Sequence, residues 1–228
     1  MNRKAPPPDR FASFPYDGKI LAYFAGVFEA VFVVMQPFCK IEKEHQWILN
    51  RNIDVSKQEF IRYAKAISWQ EIMQKLNIGE YQDLETGIQS RENRLYEHLQ
   101  RMDIKHQLLT LENECDIFAP ETNEIAPYFE NDIFNVIKKL GYDWVWVGDE
   151  FATERKLHFI DDLILSEQVN IGVGTIFTPD YQLLIGSIYG VSSVFICSSK
   201  QMIEKIRQFY DFEGFYCTPQ TEVVWNIN

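Results

Sequence analysis

Over residues 141–209 the chain alternates short apolar, β-branched or aromatic runs with turn residues and then closes on one amphipathic stretch. Runs of this kind read as strands, and the closing SKQMIEKIRQF repeats its apolar residues at helical spacing. Residues 143–147 form a strand pattern that is apolar on both faces. Trp144 and Trp146 point one way, Val145 and Val147 the other, which predicts a central place in a sheet. Residues 156–165 read as a further strand. Residues 171–177 and 182–189 are joined by Thr178-Pro179-Asp180-Tyr181, where Pro fixes φ and Asp bonds the local backbone. Gly190 then turns the chain into a strand over 193–197. Strands joined by such tight turns pair antiparallel. Ser198 is placed to cap the last helix, with Met202, Ile203, Ile206 and Phe209 inward, and a short strand around Phe215 or Val223 finishes the pattern.

The first half carries helical spacing instead. Residues 1–19 hold four prolines and read as a loose or surface-draped arm. The apolar run 20–35 divides into a short first piece and a strand over 30–35, stopped by Pro37. In 56–67, Phe60, Ile61, Ala64 and Ile67 recur at helical spacing. Ser68-Trp69-Gln70-Glu71 has the form of a capping box, predicting a helix from Trp69 with Trp69, Ile72, Met73 and Leu76 buried and Asn77-Ile78-Gly79 at its end. The longest helical pattern runs over 83–102, with Leu84, Ile88, Leu95, Leu99 and Met102 on one side and Glu97 and Arg101 spaced i,i+4. Residues 111–128, with Pro120 and Pro127, read as a loop and as the place for a sub-boundary. Asn131 is placed to cap a helix carrying Ile133, Val136, Ile137 and Leu140, with Gly141 just past its end. The expectation is an α+β fold, a helical N-terminal half packed with a mainly antiparallel or mixed sheet, forming one domain over 20–228 after the arm 1–19.

Charge changes this picture by being uneven. The 228 residues carry a net charge of −11, yet residues 1–110 sum to +1 (15 Lys/Arg, 14 Asp/Glu) and residues 111–228 to −12 (7 against 19). Between Lys105 and Lys138 there is no Lys or Arg, while Glu112, Glu114, Asp116, Glu121, Glu124, Glu130 and Asp132 fall there. A field of that sign repels phosphate backbones and anionic membranes and attracts basic partners, so neither nucleic acid nor membrane is expected as a partner. The apolar run 20–35 is too short for a spanning helix and holds Glu29, and the polar stretch before it does not read as a signal peptide. Cys39, Cys115, Cys197 and Cys217 form no C-x-x-C pair and read as reduced and buried, which fits the cytoplasm.

Candidate chemistry is sparse. Asp149 and Glu150 follow a strand, and with His158, Asp161 and Asp162 they are the residues from which an acidic catalytic cluster would be built. H-x-x-D-D is not a zinc signature, and the four histidines, His45, His98, His106 and His158, have no metal-ligand spacing, so no metal is expected. Gly172-x-Gly174 lacks the third glycine of a dinucleotide fingerprint, and Gly186-Ser187-Ile188-Tyr189-Gly190 has its Ser one place early for a hydrolase elbow, so no cofactor is expected either.

The capped helix at Ser68-Trp69 and the closing run 143–225 resemble uncharacterised proteins of Bacillus-type bacteria, a family with no assigned activity. In layout, a meander followed by a helix in a small acidic chain is also similar to bacterial immunity proteins that neutralise a toxin. Together these observations set a non-enzymatic cytoplasmic binding protein with a basic protein partner, immunity-like in role, against a small-molecule or divalent-metal enzyme centred on the carboxylates named above.

Overall fold

The apolar runs of the sequence become strands, and the structure pairs them. The computed structural model describes residues 9–50, 53–122, 125–149, 152–166, 174–187 and 190–223. In chain order the strands are β1 (Ala30–Met35), β2 (Phe38–Lys40), β3 (Lys65–Ile67), β4 (Ile117–Phe118), β5 (Trp144–Gly148), β6 (Arg155–Phe159), β7 (Thr175–Phe177), β8 (Leu184–Ser187), β9 (Ser193–Ser198) and β10 (Gly214–Tyr216). The α-helices are α1 (Ile20–Tyr23), α2 (Lys57–Tyr63), α3 (Trp69–Leu76), α4 (Tyr81–Arg91), α5 (Met102–Cys115), α6 (Pro127–Lys139), α7 (Ile160–Leu165) and α8 (Lys200–Phe209). Among the described residues, seven strands form one sheet in the order β10-β1-β9-β8-β7-β5-β6, and β3-β2-β4 form a second, small one. Every pairing is antiparallel.

Period-two alternation sends alternate residues of the large sheet into two separate cores. On one face Phe32, Val34, Val145, Ile176, Ile185 and Ile196 meet Phe129, Ile133 and Ile137 of α6, Leu163 of α7 and Ile203 and Ile206 of α8. On the other, Val31, Val33, Phe177, Leu184 and Phe195 meet Ala12, Phe14, Ile20 and Phe24. Both faces are covered, which is why β1 and β9 read as unbroken apolar runs. Residues 9–19 lie on that second face: Thr175 Oγ1 donates to the Ala12 carbonyl at 3.0 Å, and the Phe14 and Phe195 rings are 4.7 Å apart. A third core joins Met35 and Phe38 to α3, α4 and α5.

Several local expectations are corrected. The pattern over 83–102 is two helices: α4 stops at Arg91, Asn93 takes the left-handed φ of 57°, and α5 begins at Met102. Arg101 pairs with Asp83 and Asp103 rather than Glu97. The predicted loop over 111–128 is helical to Cys115, because α5 ends only where Asp116 turns left-handed at φ 59°. Asn131 lies inside α6, which begins at Pro127, the position where a missing N–H costs nothing. Residues 65–67 are strand, residues 160–165 are helix, and the cap of α8 is Ser199, not Ser198. β5 is second from the sheet edge, and Trp144 is 47% exposed rather than central. The two-strand turn at 178–181 forms as read, with Asp180 accepting from the Gln182 amide at 3.2 Å.

Candidate functional site

The carboxylates singled out from the sequence fall at opposite ends of one strand. Asp149 follows β5 and accepts hydrogen bonds from the Thr153 hydroxyl and the Thr153 and Glu154 amides, at 2.5, 2.7 and 3.0 Å. Burial alone would raise its pKa, but these hydrogen bonds outweigh it and hold the carboxyl below its usual value. Asp161 and Asp162 open α7 at the far end, separated from Asp149 by the length of β5, roughly 17 Å at about 3.4 Å per residue. Asp161 pairs with Lys138 of α6. His158 sits on β6 opposite Val145, with its pKa lowered by burial and by Lys156, against the pull of Asp162. Thus the Asp162 charge acts on His158, and Asp149 lies at the other end of the strand. Glu150 lies outside the described residues, among which no group of three or more His, Cys, Asp or Glu side chains is arranged to hold a metal ion.

A small hollow of about 160 Å³ at the Asp149 end of β5 is lined by Gly148, Ala152, Thr153 and Glu154, and a larger concave feature lies elsewhere. A cleft of about 600 Å³ opens where the end of the 3₁₀ segment Lys43–Leu49, with Asn50 and residues 53–55, faces β4 and the start of α6. That volume is in the usual range of small-ligand sites. Its walls are apolar: Ile48, Leu49, Ile53, Val55, Phe60 and Phe118 contribute, along with Tyr128. Phe60 of α2 and Tyr128 of α6 stack with parallel rings 6.2 Å apart, and the Tyr128 hydroxyl donates to the Pro37 carbonyl at 2.8 Å. Cys39 of β2 lies beneath them. Burial pushes its thiol up to about 12, despite a hydrogen bond to Tyr128.

Among the described residues the charged lining is three carboxylates, Asp54, Glu112 and Glu121, and one cation, Arg91. Arg91 at the end of α4 is already paired with Glu112 of α5. Glu92, next to it, accepts from Arg94 Nε at 2.6 Å and from the Thr122 hydroxyl. Asp54 and Glu121 are the exposed carboxylates among the described lining residues.

Sequence reasoning had placed Phe60 on a helix stripe and Glu112 and Glu121 in an acidic loop, but had not seen them as one site. At least five separate stretches of chain supply the lining, so no local spacing marks it. The one signal present was Pro120 and Pro127, which bracket the turn from β4 into α6.

Fold and cleft together define an α+β protein built on an antiparallel seven-stranded sheet, with a ligand-sized cleft beside its small second sheet. The chain belongs to a family whose model matches residues 16–227 and whose description is "Protein of unknown function (DUF2711)". No curated protein and no solved structure matched it.

Proposed function

We propose that this is a binding protein, and that the cleft between residues 48–50 and 53–55, β4 and α6 receives a lysine or arginine side chain of a basic partner protein. The observation that carries the reading is the composition of the lining. Apolar walls suit an aliphatic stem, and carboxylates at Asp54 and Glu121 suit its cationic head, while Arg91, the cation among the described lining residues, is paired with Glu112. The thiol in the lining supports binding over covalent catalysis, because Cys39 stays protonated at neutral pH. The enzyme alternative draws no support from the placement of Asp149 and Asp162 at opposite ends of β5. A cytoplasmic protein of a Bacillus-type bacterium, with a toxin-neutralising role, is the setting in which such a partner would be met.

Calorimetric titration with a short amidated peptide of alternating Leu and Lys, and with its Leu and Glu counterpart, tests the reading. The lysine peptide should bind and the glutamate peptide should not. Glu121→Gln should weaken binding about tenfold, the effect of one charge-assisted hydrogen bond, and Val55→Trp, which fills the cleft, should abolish it. If hexylamine alone bound as tightly as the peptide, the ligand would be a free amine and not a protein. Binding of the glutamate peptide, or of neither, would remove the basis for the proposal.

A further inference from the structure

The sheet ends on β6, and among the described residues no strand lies along its outer side. Glu154 accepts from the Asp149 amide at 3.0 Å, and the Ile160 amide donates to Asp143 at 2.9 Å, so the even-numbered residues of this strand bond to β5. Because peptide groups alternate along an antiparallel strand, Arg155, Leu157 and Phe159 turn their N–H and C=O groups outward. Three outward residues, spaced symmetrically about Leu157, make an edge that is complementary to itself.

The side chains on that edge point the same way. Arg155, Leu157 and Phe159 share a face with Trp144 and Trp146 of β5, through the pairs Gly148↔Arg155, Trp146↔Leu157 and Trp144↔Phe159. The N-terminal residues that cover this face elsewhere reach Tyr181, where the Phe11 and Tyr181 rings lie 5.5 Å apart, and the Arg155 end of β6, where Asp9 meets the guanidinium at 3.6 Å. Beyond that point Trp144 and Leu157 are left 47% and 41% exposed. Exposed apolar surface beside an open edge is the arrangement of a pairing site.

We propose that β6 is the dimerisation edge of this protein, pairing antiparallel with β6 of a second copy about a two-fold axis at Leu157. In that register Leu157 faces its own copy, and Arg155 faces Phe159 on each side, so all six outward peptide groups find partners. On the opposite face Lys156 comes beside His158 of the second copy and near Asp162, whose charge acts on His158 from the first turn of α7. The basic end of each strand thus lies over the acidic end of the other. A lone edge lysine discourages pairing with an arbitrary strand, and here Asp162 answers it only when the incoming strand is a copy in antiparallel register.

Sedimentation velocity of the full chain across the micromolar range decides the matter. Wild type should dimerise, and Leu157→Lys, which puts two ammonium groups at the axis, should weaken the dimer roughly hundredfold. Leu157 is exposed, so the variant should melt as cooperatively as wild type. Lys156→Glu should also weaken the dimer, and adding Asp162→Lys should restore it by exchanging the two charges. A wild type that stays monomeric throughout, or a dimer indifferent to Leu157→Lys, would overturn the proposal.

Discussion

Two glutamates are fully inside the protein, and each is answered differently. Glu85 of α4 accepts from the Ser192 amide at 3.1 Å, from the Ser192 hydroxyl and from Gln89 Nε2 at 3.1 Å. Burial pushes its pKa above the usual carboxylate value, against those hydrogen bonds, and the nearby Glu92 charge adds to the rise. The folded protein therefore holds this proton more tightly than the unfolded chain does. Its stabilising contribution is complete below the ordinary glutamate pKa and is lost as pH rises through the folded value. Glu85→Gln keeps the shape and the Ser192 bond, so chemical denaturation should find the variant more stable than wild type at pH 8, by on the order of 1 kcal/mol, with the difference vanishing near pH 4. A variant that is weaker at pH 8 than at pH 4 would mean that the ionised carboxylate is the form the fold needs. Glu130 of α6 instead meets Lys57, the first residue of α2, which also donates to the Leu163 carbonyl at 3.2 Å. Removing one member of a buried pair strands the other, so Lys57→Met should cost about 3–5 kcal/mol. The double change with Glu130→Leu should cost less than either single one. Additive losses in that cycle would show that the two charges do not depend on each other.

At the scale of elements, burial decides what each tryptophan is worth. Trp69 starts α3 fully buried and donates its indole N–H to the Gln36 carbonyl at 2.6 Å. Truncation to Ala should cost about 3–5 kcal/mol in denaturant unfolding. Trp144→Ala should cost about 1 kcal/mol or less, because half of the ring already faces water; a loss as large as that of Trp69→Ala would place Trp144 in a core after all. The start of α3 is also where local and distant signals combine. Ser68 accepts from the Glu71 amide as the sequence indicated, but the amides of Trp69 and Gln70 are taken by the Glu213 carboxylate, at 2.6 and 2.7 Å, from the far end of the chain. That second cap has no trace in the local pattern. Strands were legible because their Val, Ile and Phe runs are bracketed by Gly, Pro and Asp, and the cap at Ser68 was legible because Glu71 stands three residues on. The break between α4 and α5 was written in Asn93, yet the apolar stripe from Leu84 to Met102 runs on past it. What that stripe hid is a helix hairpin, in which Gly87 lets Ile104 approach so closely that a β-carbon would clash. Gly87→Ala should cost about 1–3 kcal/mol by overpacking.

For the whole molecule, the uneven charge seen in the sequence is spent mostly on holding the fold. Of the acidic run between Lys105 and Lys138, Glu112 pairs with Arg91, Asp116 accepts from Gln46 at 2.7 Å, Glu130 meets Lys57, and Asp132 accepts from Tyr210. Sequence could show that these carboxylates were concentrated, but not that partners from α2, α4 and the 3₁₀ segment would reach them, since every one of those partners is distant along the chain. Among the described residues of the run Glu114 and Glu121 are exposed to solvent, and Glu121 stands at the cleft. The long-range attraction for a basic partner should therefore be concentrated at the cleft and not spread along the stretch. Charge reversal separates the two cases. Glu121→Lys should slow association with the lysine peptide and reduce the dependence of the on-rate on salt, while Glu114→Lys, of equal charge change, should do much less. Both variants should stay within about half a kcal/mol of wild type in stability, because each replaces an exposed side chain. Stopped-flow rates at several ionic strengths would measure this directly. Equal slowing by the two substitutions would show that net charge alone steers the encounter, and no slowing by either would remove Glu121 from the site.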